Sequence, residues 1–207
     1  GFYDTAGEVF RDVDQIARAG FFVAHSDVVL FIMSLHDVDP NDLDSEITGL
    51  LDTYVRACND RLNVNLRESQ SLIVIFTKGD LVSKHFSEDI RSWLGHGQHG
   101  WYAQGLNERV MEMARKSVDL EDWLAEDMNC NRFLNMAKAS FRDVRFSVVS
   151  ATGNVDLENG GTVPEPLRVL DPFLWVLHFA RQKQEDAKKV HTGWLKRLFK
   201  RNTKATT

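Results

Sequence analysis

Three short apolar runs constrain this chain more than any other feature. They are residues 27–35 (DVVLFIMSL), 71–77 (SLIVIFT) and 144–150 (VRFSVVS). Each is rich in β-branched or aromatic residues and has the length of a strand rather than a helix. None shows the strict polar–apolar alternation of a sheet that turns one face to water. Near-continuous apolar character is what a parallel strand needs when helices cover both of its faces. The spacers agree. Residues 42–62 carry Leu43, Ile47, Leu50, Leu51, Tyr54 and Val55 at helical spacing, and residues 167–181 carry Leu170, Leu174, Val176 and Leu177. Strand, helix, strand, and again strand and helix, predict an α/β fold with a doubly wound, mainly parallel sheet.

The segment 83–142 interrupts that rhythm. It is far longer than one crossover helix with its loops. It holds a loop of glycines and histidines, Gly95-His-Gly-Gln-His-Gly100, and helical spacing at 107–116, 120–128 and 132–140. The reading is a helical insertion between residues 1–82 and 143–182, with Trp93, Trp101 and Trp123 forming its own small core. His96 and His99 have H-x-x-H spacing, but in a glycine loop with no third ligand nearby a solvated turn is favoured over a metal pair.

In a parallel sheet, ligands bind outside the carboxyl ends of the strands, so the residues that follow each apolar run are the candidates for chemistry. After the stub Phe2-Tyr3 comes Asp4-Thr5-Ala6-Gly7. A carboxylate at a strand tip can hold a hydrated Mg²⁺, and a glycine three residues on lets backbone approach a terminal phosphate. After the second run comes Thr77-Lys78-Gly79-Asp80. The Asp80 carboxylate can accept two hydrogen bonds from the ring and exocyclic N–H groups of guanine, while the Lys78 stem lies along the base. The third run ends in Ser150-Ala151-Thr152, where a backbone N–H can reach the guanine carbonyl beside a small side chain. Singly, each string reads equally well as a helix cap or turn. Their joint order at three strand ends favours a nucleotide site.

These strings resemble the guanine-nucleotide boxes of the Ras-like and translation-factor-related class of P-loop GTPases. DTAG is similar to the third box, TKGD to the N/T-K-x-D box and SAT to the S-A-x box. The resemblance covers residues 1–82 and 143–182. It implies a GTP-binding switch or GTP hydrolase of cytoplasmic, bacterial type with GTP/GDP and Mg²⁺ as ligands. By the resemblance Asp4 supports the metal, Gly7 senses the γ-phosphate, and Glu8 stands where small GTPases carry the glutamine that orients the attacking water. Thr77, Lys78 and Asp80 with Ser150, Ala151 and Thr152 form the base pocket, and residues 8–25 are the second switch, a helix that rearranges on loss of the γ-phosphate. Pro166 and Asp171-Pro172-Phe173-Leu174-Trp175 are similar to bacterial double-GTPase proteins of conflict systems.

The chain also departs from the pattern. No G-x-x-x-x-G-K-[S/T] occurs in it, which excludes a circularly permuted arrangement as well, and no first-switch threonine can be assigned. An N-terminally truncated domain is the expectation from the opening Gly1. A carboxylate at Glu8 could act as a base or repel the water. The alternative function is a GTPase-like scaffold that binds protein partners through the switch helix or residues 83–142 without turning nucleotide over.

Charge narrows the partners. Residues 183–207 hold eight Lys/Arg and two Asp/Glu, a balance of +6, so the rest of this −5 chain sums to −11. An acidic body argues against nucleic acid, whose binders present broad basic surface. In the tail, Trp194, Leu195, Leu198 and Phe199 alternate with Lys196, Arg197, Lys200 and Arg201 at helical spacing. That pattern suits either an anionic membrane surface, giving a peripheral location, or a plain basic linker. Cys58 and Cys130 lack metal spacing and fit a reducing compartment.

Overall fold

The computed structural model describes residues 12–19, 21–34, 36, 39, 41–95, 105–153 and 165–202. Its centre is a three-stranded parallel sheet in the order β1-β2-β3, formed by Val28–Ser34, Ser71–Thr77 and Asp143–Val148. β1 pairs with β2 from Val28 opposite Ser71 to Ser34 opposite Thr77, and β2 with β3 from Ser71 opposite Asp143 to Phe76 opposite Val148. The chain is therefore of the α/β class, and the three apolar runs are the three strands.

Helices cover both faces. Leu72, Val74 and Phe76 of β2 point into a core closed by α3 (Leu43–Arg56), α8 (Asn131–Ser140), Ile16 of α1 (Val13–Ala19) and the second half of α7 (Leu106–Glu126). Ile73 and Ile75 point the other way, against Val110 and Met113 of α7 and against Trp175 and Phe179 of α9 (Asp171–Asn202). The short helices α2 (Phe21–Ala24), α4 (Leu66–Ser69), α5 (Gly79–Val82) and α6 (Glu88–Gly95), with a 3-10 turn at Ser83–His85, lie between these elements.

Local chemistry fixes the layers. Leu43, Ile47, Leu51 and Tyr54 make one buried stripe on α3, at the i+3 and i+4 spacings that put side chains on one face. Asp44 and Glu46 in its first turn and Arg56 in its last complement the helix dipole. The Asp44 carboxylate also accepts the Phe133 amide at 3.0 Å, so an α3 side chain satisfies an otherwise orphan donor in the first turn of α8. Beyond Arg56 the chain widens into a π-helical turn, Ala57–Arg61, in place of the continued helix expected to residue 62. Residues 8–25, where a switch helix is expected, are described only from Asp12. There Asp12 Oδ1 accepts the Asp14 and Gln15 amides, and the buried Gln70 amide donates to the carbonyls of Val23 and Ser26.

Segment 83–142 builds into the same core as the sheet. Trp123 of α7 meets Phe76 of β2 edge-on at 6.3 Å and Phe86 at 4.8 Å, and its indole N–H donates to the His85 carbonyl. This differs from the small separate core expected for the tryptophans. Two predicted helices, 107–116 and 120–128, are one 21-residue helix whose Ser117 Oγ accepts the Phe146 amide of β3 at 2.8 Å. Trp101 and the His96–His99 pair lie outside the described residues. The last helix begins at Asp171, not at residue 167, and its backbone stays helical through Asn202, into the basic tail. Lys183 pairs on the surface with Asp27, the residue before β1, while Trp175 and Phe179 pack α9 onto the sheet.

Shared burial makes a direct prediction. Leu124→Ala, at a fully buried position of α7, should cost about 2–5 kcal/mol. Val118→Ala, on the exposed side of the same helix, should stay within about 0.5 kcal/mol. Urea unfolding of the two variants measures both.

Candidate functional site

The carboxyl ends of β1, β2 and β3 are laced together by the residues that the sequence singles out. Thr77 closes β2, and its hydroxyl donates to the Met33 carbonyl of β1 at 3.2 Å. Lys78 follows in the left-handed region, at φ 56°. A non-glycine residue rarely adopts that conformation, and its cost of order 1–3 kcal/mol concentrates at sites where geometry matters. Gly79 then donates its N–H to the Val149 carbonyl at 3.0 Å, joining the end of β2 to the end of β3. A Cβ at position 79 would lie 2.4 Å from Val148 Cγ2, so only glycine allows this approach. Asp80 is the second residue of α5, half-buried, and its carboxylate makes no hydrogen bond or ion pair among the described residues.

Ser150 is fully buried and takes part in two structures at once. Its backbone exchanges hydrogen bonds with Leu167, 3.0 Å in one direction and 2.8 Å in the other. Its hydroxyl accepts the Gly153 amide at 2.9 Å, which closes a turn that leaves Ala151 and Thr152 exposed. Gly153 sits at φ 65°, and a Cβ there would fall 2.2 Å from the Glu165 carbonyl oxygen. The TKGD and SAT strings therefore stand side by side, with Lys78, Ala151 and Thr152 exposed along one edge of the sheet. Asp4, Gly7 and Glu8, assigned to metal and catalysis, lie outside the described residues. Among the described residues no group of three or more His, Cys, Asp or Glu side chains could hold a metal ion.

Behind this edge lies an ionic cluster that sequence reading missed. Asp171, the first residue of α9, has no exposed surface. Its Oδ1 is 3.2 Å from Arg109 Nη2 of α7, and its Oδ2 is 3.8 Å from Arg168 Nη1. Glu112 Oε1 lies 3.7 Å from Arg168 Nη2. The Arg168 guanidinium stacks 4.5 Å over the Trp93 ring of α6 and donates through Nε and Nη2 to the Trp93 carbonyl, at 3.0 and 2.8 Å. Arg168 itself is left-handed, at φ 57°. The composition of these segments carries no signal of burial. Only Asp171-Pro172 before an apolar run marks a helix start.

Burial pushes the Asp171 carboxyl up from its usual value to about 6, against the pull of Arg168 and then Arg109, with Glu112 adding to the rise. Burial also lowers both guanidinium groups from their usual range. The thiols of Cys58 and Cys130 are raised by burial as well, to about 11 and about 12, which makes them inert packing groups rather than nucleophiles.

No protein-family model, no curated protein and no solved structure matches the chain. The site accordingly stands on its own residues.

The raised carboxyl has a signed consequence for stability. A group that binds its proton more tightly when folded contributes stability that is fully present below its unfolded value and lost as pH rises through about 6. Asp171→Asn removes that dependence. The thermal midpoints of wild type and variant should nearly coincide at about pH 3.5, and the wild type should lose ground to the variant mainly between about pH 4 and about pH 6.5. Differential scanning fluorimetry over that range checks it.

Proposed function

We propose that this chain is the guanine-binding part of a GTP-binding switch or GTP hydrolase of the P-loop GTPase type, with a doubly wound sheet. One observation carries the reading. Thr77-Lys78-Gly79-Asp80 and Ser150-Ala151-Thr152 occupy adjacent carboxyl ends of parallel strands, tied by the Gly79 amide to Val149. Ligand sites form at that edge in parallel sheets.

In this reading the base lies across the two strand ends. The Asp80 carboxylate accepts the ring and exocyclic N–H groups of guanine, a donor pair that adenine lacks. Lys78 extends its stem along the base with its ammonium in water. The backbone beyond Ser150 donates to the guanine carbonyl, and Ala151 leaves room for it. The phosphates and Mg²⁺ belong to Asp4, Gly7 and Glu8, which would supply a metal ligand, a γ-phosphate sensor and a water-orienting group. Hydrolysis thus rests on residues outside the described structure, and base recognition on residues within it.

A scaffold reading draws on a different observation. Leu170, just before α9, and Phe173 and Leu177 on it stand exposed at 41, 45 and 58%, with Phe173 and Leu177 on the side of α9 away from Trp175 and Phe179. Such a stripe suits a protein partner, and it is compatible with nucleotide binding elsewhere on the molecule. A peripheral contact of the basic tail with an anionic bilayer remains part of the proposal. Among the described residues no helix is long and apolar enough to cross a membrane.

Two measurements test the nucleotide reading. Residues 1–207 hold no G-x-x-x-x-G-K-[S/T] loop to cradle the α- and β-phosphates, so calorimetry should detect at most weak GTP binding. Sub-micromolar affinity of this chain alone would refute the assignment of phosphate binding to such a loop. In a longer protein that supplies the loop, Asp80→Asn should shift preference from GTP towards XTP by about 1–3 kcal/mol, since an acceptor becomes a donor opposite the base. Unchanged GTP and XTP affinities would remove Asp80 from the base pocket.

A further inference from the structure

We infer that Arg168 and Asp171 form a latch that fixes the Ser150–Gly153 turn and couples its order to segment 83–142. As a device for positioning the guanine base the latch rests on the function proposed above; as a mechanical coupling it does not.

The geometry runs through one short stretch of backbone. Leu167 is the residue that pairs with Ser150, and Arg168 follows it in a left-handed conformation. An arginine has no intrinsic preference for that region, so its surroundings must hold it there. Two N–H groups of its guanidinium are fixed on the Trp93 carbonyl, and its plane rests on the Trp93 ring. Asp171 closes the loop from the other side. Its amide donates to the Arg168 carbonyl at 3.0 Å, and its carboxylate faces Arg168 and Arg109. Among the described residues, Trp93 of α6, Glu112 of α7 and, through Asp171, Arg109 of α7 hold Arg168 from outside its own segment. If these helices shift, Arg168 loses its supports, Leu167 loses its placement, and Ser150 loses the pairing that holds its hydroxyl on the Gly153 amide.

Energetics separate a latch from a plain structural contact. Ion pairs buried this deeply recover little or none of their desolvation cost, so they contribute weakly to net stability. They do hold groups in one geometry, because a planar guanidinium accepts few alternative arrangements. The rise of the Asp171 carboxyl towards 6 agrees, since it marks an ionised group that the fold tolerates at a cost. The titratable and charged neighbours facing Asp171 among the described residues are Arg109, Arg168 and Glu112.

Amide hydrogen exchange on the nucleotide-free chain tests the latch, and so stands apart from whether GTP binds. Asp171→Asn keeps shape and helix-start chemistry but removes the charge. Arg168→Lys keeps the charge but removes the fork and the stack. In either variant the amides of Ser150, Gly153 and Leu167 should exchange at least about tenfold faster, while those of Ile73 and Ile75 in β2 should exchange no faster than in the wild type. Should Asp171→Asn fail to fold, Arg168→Lys gives the same readout. Unchanged turn amides in a folded variant would overturn the latch. Equal acceleration of turn and β2 amides would overturn it too, because that marks a loss of global stability alone.

Discussion

β2 buries both of its faces, and a strand so placed needs a neighbour on each edge and helices above and below it. From Leu72 to Phe76 no side chain keeps more than 4% of its surface in water. Each is worth roughly 1.5–3 kcal/mol in apolar area removed from solvent. The gain requires both covering layers at once. One layer is α3 and α8, the other α9, and α7 crosses from one to the other around β3. Because parallel neighbours cannot be joined by a tight turn, each connection must leave one end of the sheet and return to the other. The carboxyl edge thereby collects the loop after β2, the loop after β3 and the starts of α7 and α9. The candidate site and the buried ionic cluster share that edge for this reason.

The two outer strands differ in how that requirement is met. β3 has its outer edge answered by α7, through the Phe146 amide on Ser117. β1 is as apolar in sequence as β2, yet none of its side chains is fully buried, and Ile32 is 62% exposed. Phe21 and Phe22 of the adjoining α2 are exposed as well. On this side the molecule carries more apolar surface than its described neighbours cover.

What could be read from sequence, and what could not, follows from the same physics. The strands were legible because burial on both faces demands an unbroken apolar run, and composition alone records such a run. The placement of the TKGD and SAT strings at strand ends was legible because they directly follow two of those runs. α7 was read as two helices because the exposed Val118 and the buried Ser117 invert the expected pattern at its middle. Ser117 is buried for its hydroxyl, which serves the edge of β3, and no helical periodicity announces such a role. Arg109, Glu112, Arg168 and Asp171 were missed for a related reason. A buried charge and a solvated one are the same letter, and only partners brought together from α6, α7 and α9 reveal which it is. Gln70 is the neutral case, fully buried between Tyr54 and the carbonyls of Val23 and Ser26.

Two left-handed residues, Lys78 and Arg168, flank the candidate site from opposite sides, and their supports differ in kind. Lys78 is held from behind by its own strand ends: Thr77 bonded to Met33 and Gly79 bonded to Val149. Backbone and glycine set that strain, and it persists as long as the sheet does. Arg168 is held by side chains from two helices, through an ion cluster that yields little net stability. The TKGD edge is thus rigid because the sheet is rigid, whereas the SAT edge is rigid only while α6 and α7 keep their places. A base held between the two would be gripped by one fixed wall and one wall whose order is set by the helices of segment 83–142. Under the proposed guanine site, that asymmetry would give the segment a route to the base without any residue of its own touching it.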